Sequence, residues 1–308
     1  MSIIKIDDIA YVKFRAPDLE QMRSYLEDFG LVVVSADSKR LVVRGRGPAP
    51  FLHATELGAP GFVAVGFRAG SRADLDVLAK HHDVKVETLD APGGGSVVTL
   101  HDPDGFRVEV VAGQQAASPI EFESREPWNV ATQRSRMRRT KRLKAGPSSV
   151  LRLGHCVLSV KDFRASERWY KEHFGLITSD EIVVSPEFSI GAFLRCDRGD
   201  KPADHHTLFL LQGPKGPGFH HAAFEVQDVD DLMRGNRLLT DRGRSHEWGV
   251  GRHILGSQVF DYWRDPWGHT LEHWTDGDLF TAADGSNKAP MSDLLGVQWG
   301  PDAPPTLG

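Results

Sequence analysis

The residues best equipped for chemistry in this 308-residue chain are a glutamate and several histidines, each set in a short apolar stretch. Val259-Phe260-Asp261-Tyr262-Trp263-Arg264-Asp265-Pro266-Trp267-Gly268-His269-Thr270-Leu271-Glu272 reads as a strand, a tight turn from Asp265 to Gly268, and a returning strand. Pro266 and Gly268 suit the turn. Alternation then puts Thr270 and Glu272 on one face, Leu271 and His273 on the other. A carboxylate in such a strand either faces water from an edge or needs a metal, a charge partner or strong hydrogen bonds. Two further stretches favour the metal: Leu153-Gly154-His155-Cys156-Val157-Leu158 and Gly218-Phe219-His220-His221-Ala222-Ala223-Phe224. One strand histidine is ordinarily a hydrogen-bonded core residue. Two of them plus a carboxylate supply a two-His, one-carboxylate facial triad, which leaves coordination positions open and suits Fe(II) oxygen chemistry. Adjacent strand residues face opposite ways, so only one of His220 and His221 can share that face.

The elements that must position these residues form a repeat. Residues 6–15 read as a strand. Pro17 and Asp18 open a helix with Met22, Tyr25 and Leu26 on its apolar face, and Phe29-Gly30 closes it. Strands follow at 31–34, 40–44 and 50–55. The cycle restarts with a strand at 61–67, a helix at 71–81, and strands near 84–87, 96–101 and 106–111. The second half repeats this plan. Asp162 corresponds to Asp18, Phe174-Gly175-Leu176 to Phe29-Gly30-Leu31, and Asp265 through Glu272 to Asp102 through Glu109. Such self-similarity points to a two-domain duplication of strand-helix-strand-strand-strand units. On this alignment His155 falls on Tyr11 and His221 on Ala64, while Glu109 alone survives. A lone glutamate does not hold a metal, so the first half is expected to be metal-free.

Composition narrows the classes. A hydrophobic fraction of 40% supports real cores, and a net charge of −5 argues against a dedicated nucleic-acid binder. No apolar run is long enough to span a bilayer. Met1-Ser2-Ile3-Ile4-Lys5 lacks a signal-peptide pattern, and the two cysteines, Cys156 and Cys196, make no disulfide scaffold. A cytoplasmic enzyme with no membrane or nucleic-acid partner is the expectation. The expected division is 1–112, a metal-free domain; 113–149, a basic linker; 150–276, a catalytic iron-binding domain; and 277–308, a tail. The linker carries Arg134, Arg136, Arg138, Arg139, Lys141, Arg142 and Lys144. It reads as solvated, or as pairing with acids of a neighbouring subunit. In the tail, Leu294 to Trp299 is the apolar exception, suited to a lid, a subunit contact or simple surface docking.

The ordered set of the His155 strand, the His220-His221 strand and the Tyr262-to-Glu272 hairpin resembles the type I extradiol ring-cleaving dioxygenases of the vicinal oxygen chelate superfamily. The resemblance spans roughly residues 5–276. It implies an α+β fold of two tandem domains, each of two βαβββ modules forming a half-open barrel. It implies Fe(II) held by His155, His221 and Glu272, with His221 favoured over His220 because the small apolar strand sequence follows it. It further implies cleavage of a catechol-type aromatic substrate with O2, and a homo-oligomer, dimer or tetramer. In Asp204-His205-His206-Thr207-Leu208, the resemblance makes His206 the acid-base, a role that suits an imidazole. Tyr262 would hydrogen-bond the substrate oxygen. Gly251-Arg252-His253 matches a family segment whose histidine, here His253, reaches the substrate. Several relatives carry an acid or amide shortly after that histidine, where this chain has Leu255, Gly256 and Ser257. Phe188, Phe193 and Trp248 are candidates for pocket walls or core. A glyoxalase-like isomerase would need a second carboxylate on the strand 207–212, which has none. A non-catalytic sequestering protein has little need for His206 and Tyr262 beside a triad.

Overall fold

The structure is a computed structural model and describes residues 2–305. The first unit is β1 (Ile6–Ala16), α1 (Leu19–Asp28), β2 (Val32–Ala36), β3 (Arg40–Arg44) and β4 (His53–Leu57). The second is β5 (Gly61–Ala69), α2 (Arg72–His82), β6 (Glu87–Thr88), β7 (Ser96–His101) and β8 (Arg107–Ala112). The third is β9 (Val150–Ser159), α3 (Phe163–Phe174), β10 (Ile177–Ser185), β11 (Phe188–Arg195), the short β12 (Ala203–Asp204) and β13 (Leu208–Leu211). The fourth is β14 (Gly218–Val226), α4 (Val229–Asp241), β15 (Ser245–His253), β16 (Val259–Arg264) and β17 (Thr270–Thr275). The tail adds β18 (Leu279–Phe280), β19 (Asn287–Pro290), α5 (Met291–Leu294) and β20 (Val297–Trp299). The fourth strand of the first unit starts at His53, not at position 50, because Pro50 has no N–H to give a ladder.

The start of each of the helices α1 to α4 is dictated locally. Asp18, Ser71, Asp162 and Asp228 sit in extended backbone and accept hydrogen bonds from first-turn N–H groups with their side chains. In each unit the first strand pairs in parallel with the last, as β1 does with β4 and β14 with β17. Two units then join through their first strands, antiparallel, at β1–β5 and at β9–β14. The result is two sheets, ordered β2-β3-β4-β1-β5-β8-β7-β6 and β19-β10-β11-β13-β9-β14-β17-β16-β15-β20. The expected tandem βαβββ architecture is therefore present in both halves, with the tail supplying both edge strands of the second sheet. Residues from β9, β13, β14, β15, β16 and β17 line one cavity, so that sheet curves around it.

One hydrophobic core runs through both halves, from Ile4 to Leu271. Phe14 of β1 meets Phe219 of β14 edge-on, and Phe62 of β5 stacks on Phe219. His273 Nε2 bonds the Phe29 carbonyl at 2.7 Å and its ring stacks on Phe29. In the basic segment Arg134, Arg138 and Arg142 are exposed, while three other cations pair with acids of the same chain. Arg125 holds Asp231, Lys141 pairs with Asp230, and Arg139 with Glu126. Asp230 and Asp231 belong to the acidic first turn of α4. Among the described residues no helix is long and apolar enough to cross a membrane.

Candidate metal centre

Strand register assembles the site. Across four neighbouring strands, His155, Ala223, Glu272 and Tyr262 stand directly opposite one another, and Trp248 continues the row. Paired residues on neighbouring strands share a face, so the row points to one side of the sheet. His221 lies two residues before Ala223 and shares that face. Ala223, the small member of the row, leaves room between the polar groups. The returning strand is aimed by its turn: Asp265 Oδ1 accepts from Trp267 N at 2.8 Å and from His269 N at 2.9 Å. Asp102 builds the same turn in the first half, accepting from Asp104 N and Phe106 N.

His155, His221 and Glu272 offer three ligand atoms that all lie within 4.8 Å of one another. Both Nε2 atoms are 3.3 Å from Glu272 Oε2. Ligand atoms about 2.1 Å from a common ion at right angles would stand about 3 Å apart, so the spacing fits a facial triad. Glu272 is wholly buried, and neither of its oxygens has a well-formed hydrogen bond. A buried carboxylate without hydrogen bonds is costly, and a divalent cation removes that cost. The water-facing edge position for Glu272 is thus excluded. Burial alone would raise the Glu272 carboxyl; the imidazoles of His155 and His221 outweigh it and hold it well below the usual carboxylate range. Burial takes His221 the other way, down to about 3, against the opposing pull of Glu272. A charged carboxylate beside a neutral imidazole is the protonation state a metal ligand needs. This is a two-His, one-carboxylate site of the kind that holds Fe(II).

The other candidates surround it. His206 lines the cavity, its ring 3.9 Å from that of His155, and burial followed by the neighbouring imidazoles depresses it well below the ordinary histidine range. Tyr262 Oη is 3.0 Å from His253 Nε2. Burial and the Glu272 charge raise the phenol well above its usual range, so it stays protonated. Burial also brings His253 down to about 4. His220 packs against His221 with the two Nδ1 atoms 2.7 Å apart, while the Nε2 that approaches Glu272 belongs to His221. The cavity measures about 460 Å³, and Phe193 and Trp248 are among its walls. Phe188 is not: it is half exposed at the start of β11. Of the tail residues at the site, Met291 escaped sequence reasoning, while Leu294 and Leu295 belong to the apolar segment singled out there. Met291, Leu294 and Leu295 of the tail line the cavity, so the apolar tail segment covers the site rather than a remote surface.

In the first half other groups stand at the positions that match the two histidines of the triad. The matching row is Tyr11, Gly66 and Glu109. Tyr11 Oη donates to Glu109 at 2.5 Å, Lys13 Nζ is 2.8 Å from Glu109, and Arg107 is 2.7 Å from its other oxygen. Lys13 stands where Val157 stands in the second half, and Arg107 where Thr270 stands. Gly66 is required because a Cβ there would lie 2.5 Å from the Tyr11 ring.

Residues 152–273 match the model of the Glyoxalase/Bleomycin resistance protein/Dioxygenase superfamily. The chain is 32% identical over 214 residues to Metapyrocatechase 2 of Cupriavidus necator, covering 69% of this chain and 63% of that relative. It is 23% identical to a 3-methylcatechol 2,3-dioxygenase of Pseudomonas putida over 88% of this chain and 90% of that one. Two solved structures share the fold. The Mn(II)-bound glyoxalase from Novosphingobium aromaticivorans aligns with a TM-score of 0.81 at 23% identity, covering 99% and 94% of the two chains. An extradiol ring-cleaving dioxygenase from B. fuscum aligns at 0.79 with 19% identity, covering 99% and 82%. With its duplicated βαβββ sheets the chain shares the fold of these solved structures, and the buried His-His-Glu triad lies within the residues that match the superfamily model.

Proposed function

We propose that this protein is an Fe(II)-dependent extradiol dioxygenase that opens the ring of a catechol-type substrate with O2. The observation that carries the proposal is Glu272: a buried carboxylate without hydrogen bonds, flanked by two imidazoles, on the wall of a cavity that His206 and Tyr262 also line. Bound iron would supply open positions for both catechol oxygens and for O2. The chain's own residues do the rest. Tyr262, protonated and backed by His253, donates a hydrogen bond to a substrate oxygen at the triad. His206 accepts a substrate proton and later returns it. Val157, Ile190, Phe193, Phe209, Leu211 and Leu255 give the cavity an apolar wall that excludes water. A cavity of about 460 Å³ exceeds a bare catechol, so an apolar ring substituent is the tail this wall suits.

In this reading residues 150–276 are the catalytic domain and 1–112 a metal-free buttress, joined by 113–149 and covered by 277–308. The enzyme works in the cytoplasm, where two buried free thiols are at home, and as a homo-oligomer, dimer or tetramer, as the resemblance implies. The test is O2 uptake after anaerobic Fe(II) loading, against a panel of alkyl-, aryl- and carboxy-catechols. Yellow ring-fission product formed mole for mole with O2 supports the reading; none across the panel overturns it. Zinc or nickel retained in place of iron would point to a glyoxalase-like isomerase, and no metal to a sequestering protein.

A further inference from the structure

Behind His206 lies a second buried polar chain that the proposed reaction has not used. His206 Nδ1 is 3.0 Å from His205 Nδ1, and His205 Nε2 is 2.6 Å from Asp180 Oδ2. All three residues are buried. Asp180 comes from β10, opposite Asn287 of the tail strand β19, and His205 from the loop between β12 and β13. Burial alone would raise the Asp180 carboxyl, but the hydrogen bonds from His205 and Asn287, with the Arg195 charge, hold it below its ordinary range. It is therefore an acceptor only.

The hydrogen positions then follow in order. Asp180 can only accept, so His205 Nε2 carries the proton that points at it. In the neutral form of His205, a proton on Nε2 leaves Nδ1 bare, and Nδ1 can then only accept. His206 Nδ1 must donate to it, and this leaves His206 Nε2 bare in the residue that lines the cavity. We propose that Asp180 and His205 are positioning residues that lock His206 in the tautomer with Nε2 ready to take a proton from a bound catechol. The proposal rests on the dioxygenase reading for its substrate, but its hydrogen-bond chain exists without one. When Nε2 takes the proton, the catechol oxygen keeps the O–H electron pair. The imidazolium so formed still donates through Nδ1 to His205, whose Nε2–H is anchored on the Asp180 carboxylate, so the new charge faces a fixed dipole and an anion. Returning the proton from Nε2 to the product restores the starting state.

The surroundings are built to keep this geometry. Phe193 and Phe280 flank the His205 ring at 5.1 and 5.5 Å. Ser179 Oγ donates to the His205 carbonyl at 2.6 Å. Gly256, at φ +76°, passes so close that a Cβ there would sit 2.9 Å from His205 Nδ1, the atom that faces His206. Only glycine fits, both for the space and for the left-handed backbone.

The decisive measurement needs no metal and no substrate. Long-range 1H–15N NMR of the metal-free, imidazole-labelled protein, above the imidazole titration range, reads each neutral tautomer directly. The His206 signals are those missing from His206→Phe. We expect the Nδ1–H form of His206 in the wild type and a mixture or the Nε2–H form in Asp180→Leu. Asp180→Asn, which keeps an acceptor oxygen but no charge, should retain the Nδ1–H form and is the gentler variant should the leucine disturb folding. In the iron-loaded enzyme, kcat should fall roughly 10- to 100-fold in Asp180→Leu and less in Asp180→Asn, with KM and iron content near wild type. A wild-type Nε2–H tautomer would overturn the proposal. So would an altered tautomer in Asp180→Leu with unchanged kcat. Failure of the wild type to cleave any catechol would sink the dioxygenase reading instead, and the tautomer result would still stand.

Discussion

Glu109→Gln tests whether the first half is a filled-in metal site. Glu109 is fully buried and carries a Tyr11 hydrogen bond and ion pairs to Lys13 and Arg107. Glutamine keeps the shape and the acceptor oxygen and removes only the charge. Lys13 is 17% exposed, so its ammonium would be left largely buried and unpaired. Losing one partner of a buried pair typically costs about 3–5 kcal/mol. Arg107 is 44% exposed, and solvent screening makes its share small. The low end applies, about 3 kcal/mol, or a fall in Tm of roughly 5–10 °C for a chain of this size. The continuous core makes the loss visible as a shift of the whole transition. Calorimetry reads the stability and elemental analysis the iron, which should stay at one per chain with turnover unchanged. Adding Lys13→Met should restore most of the stability, because the stranded charge is then gone. The reasoning fails if the wild type holds two irons per chain and the variant loses one, or if Tm does not move.

Changing His155, His221 or Glu272 to Ala should abolish iron retention, since each removes one of three protein ligands; near-normal iron in His221→Ala would transfer that role to His220. His206→Phe keeps the ring packed on His155, so iron and catechol binding should persist while ring-cleavage turnover drops roughly a hundredfold or more; iron loss would make His206 a ligand. Buried His53, stacked on Phe14, is pushed down to about 3 by burial. A depressed histidine contributes stability that is present above its unfolded pKa of about 6.5 and lost as pH falls toward 3, on the order of 4 kcal/mol in all. His53→Phe should flatten the urea-midpoint profile between those limits, and an unchanged profile would refute the assignment. Catechols with apolar ring substituents should show higher kcat/KM than carboxylated ones; the reverse order would mean the apolar wall does not face the substituent.

The sequence by itself showed a strand-rich repeat, through period-two strands, Asp-Pro-x-Gly turns and two copies that differ at the ligand positions, and its resemblance to the extradiol dioxygenases implied the fold class and the triad. It also told the halves apart, since Tyr11 and Ala64 cannot do what His155 and His221 do. Tertiary structure decided what depends on distant chain segments meeting. Lys13 and Arg107 are unremarkable strand residues until register sets them on either side of Glu109. Met291 and Leu294 become cavity wall only because the tail strands pair with β10 and β15. Asp180 sits 25 residues from His205 in a strand whose alternation gives no hint of a partner. Gly256 reads as a loop glycine until the ring it makes room for is in place. Spacing along the chain fixes which face a side chain takes. Which other faces it meets is fixed by how the sheet curves, and that curvature is a property of the whole set of strand pairings.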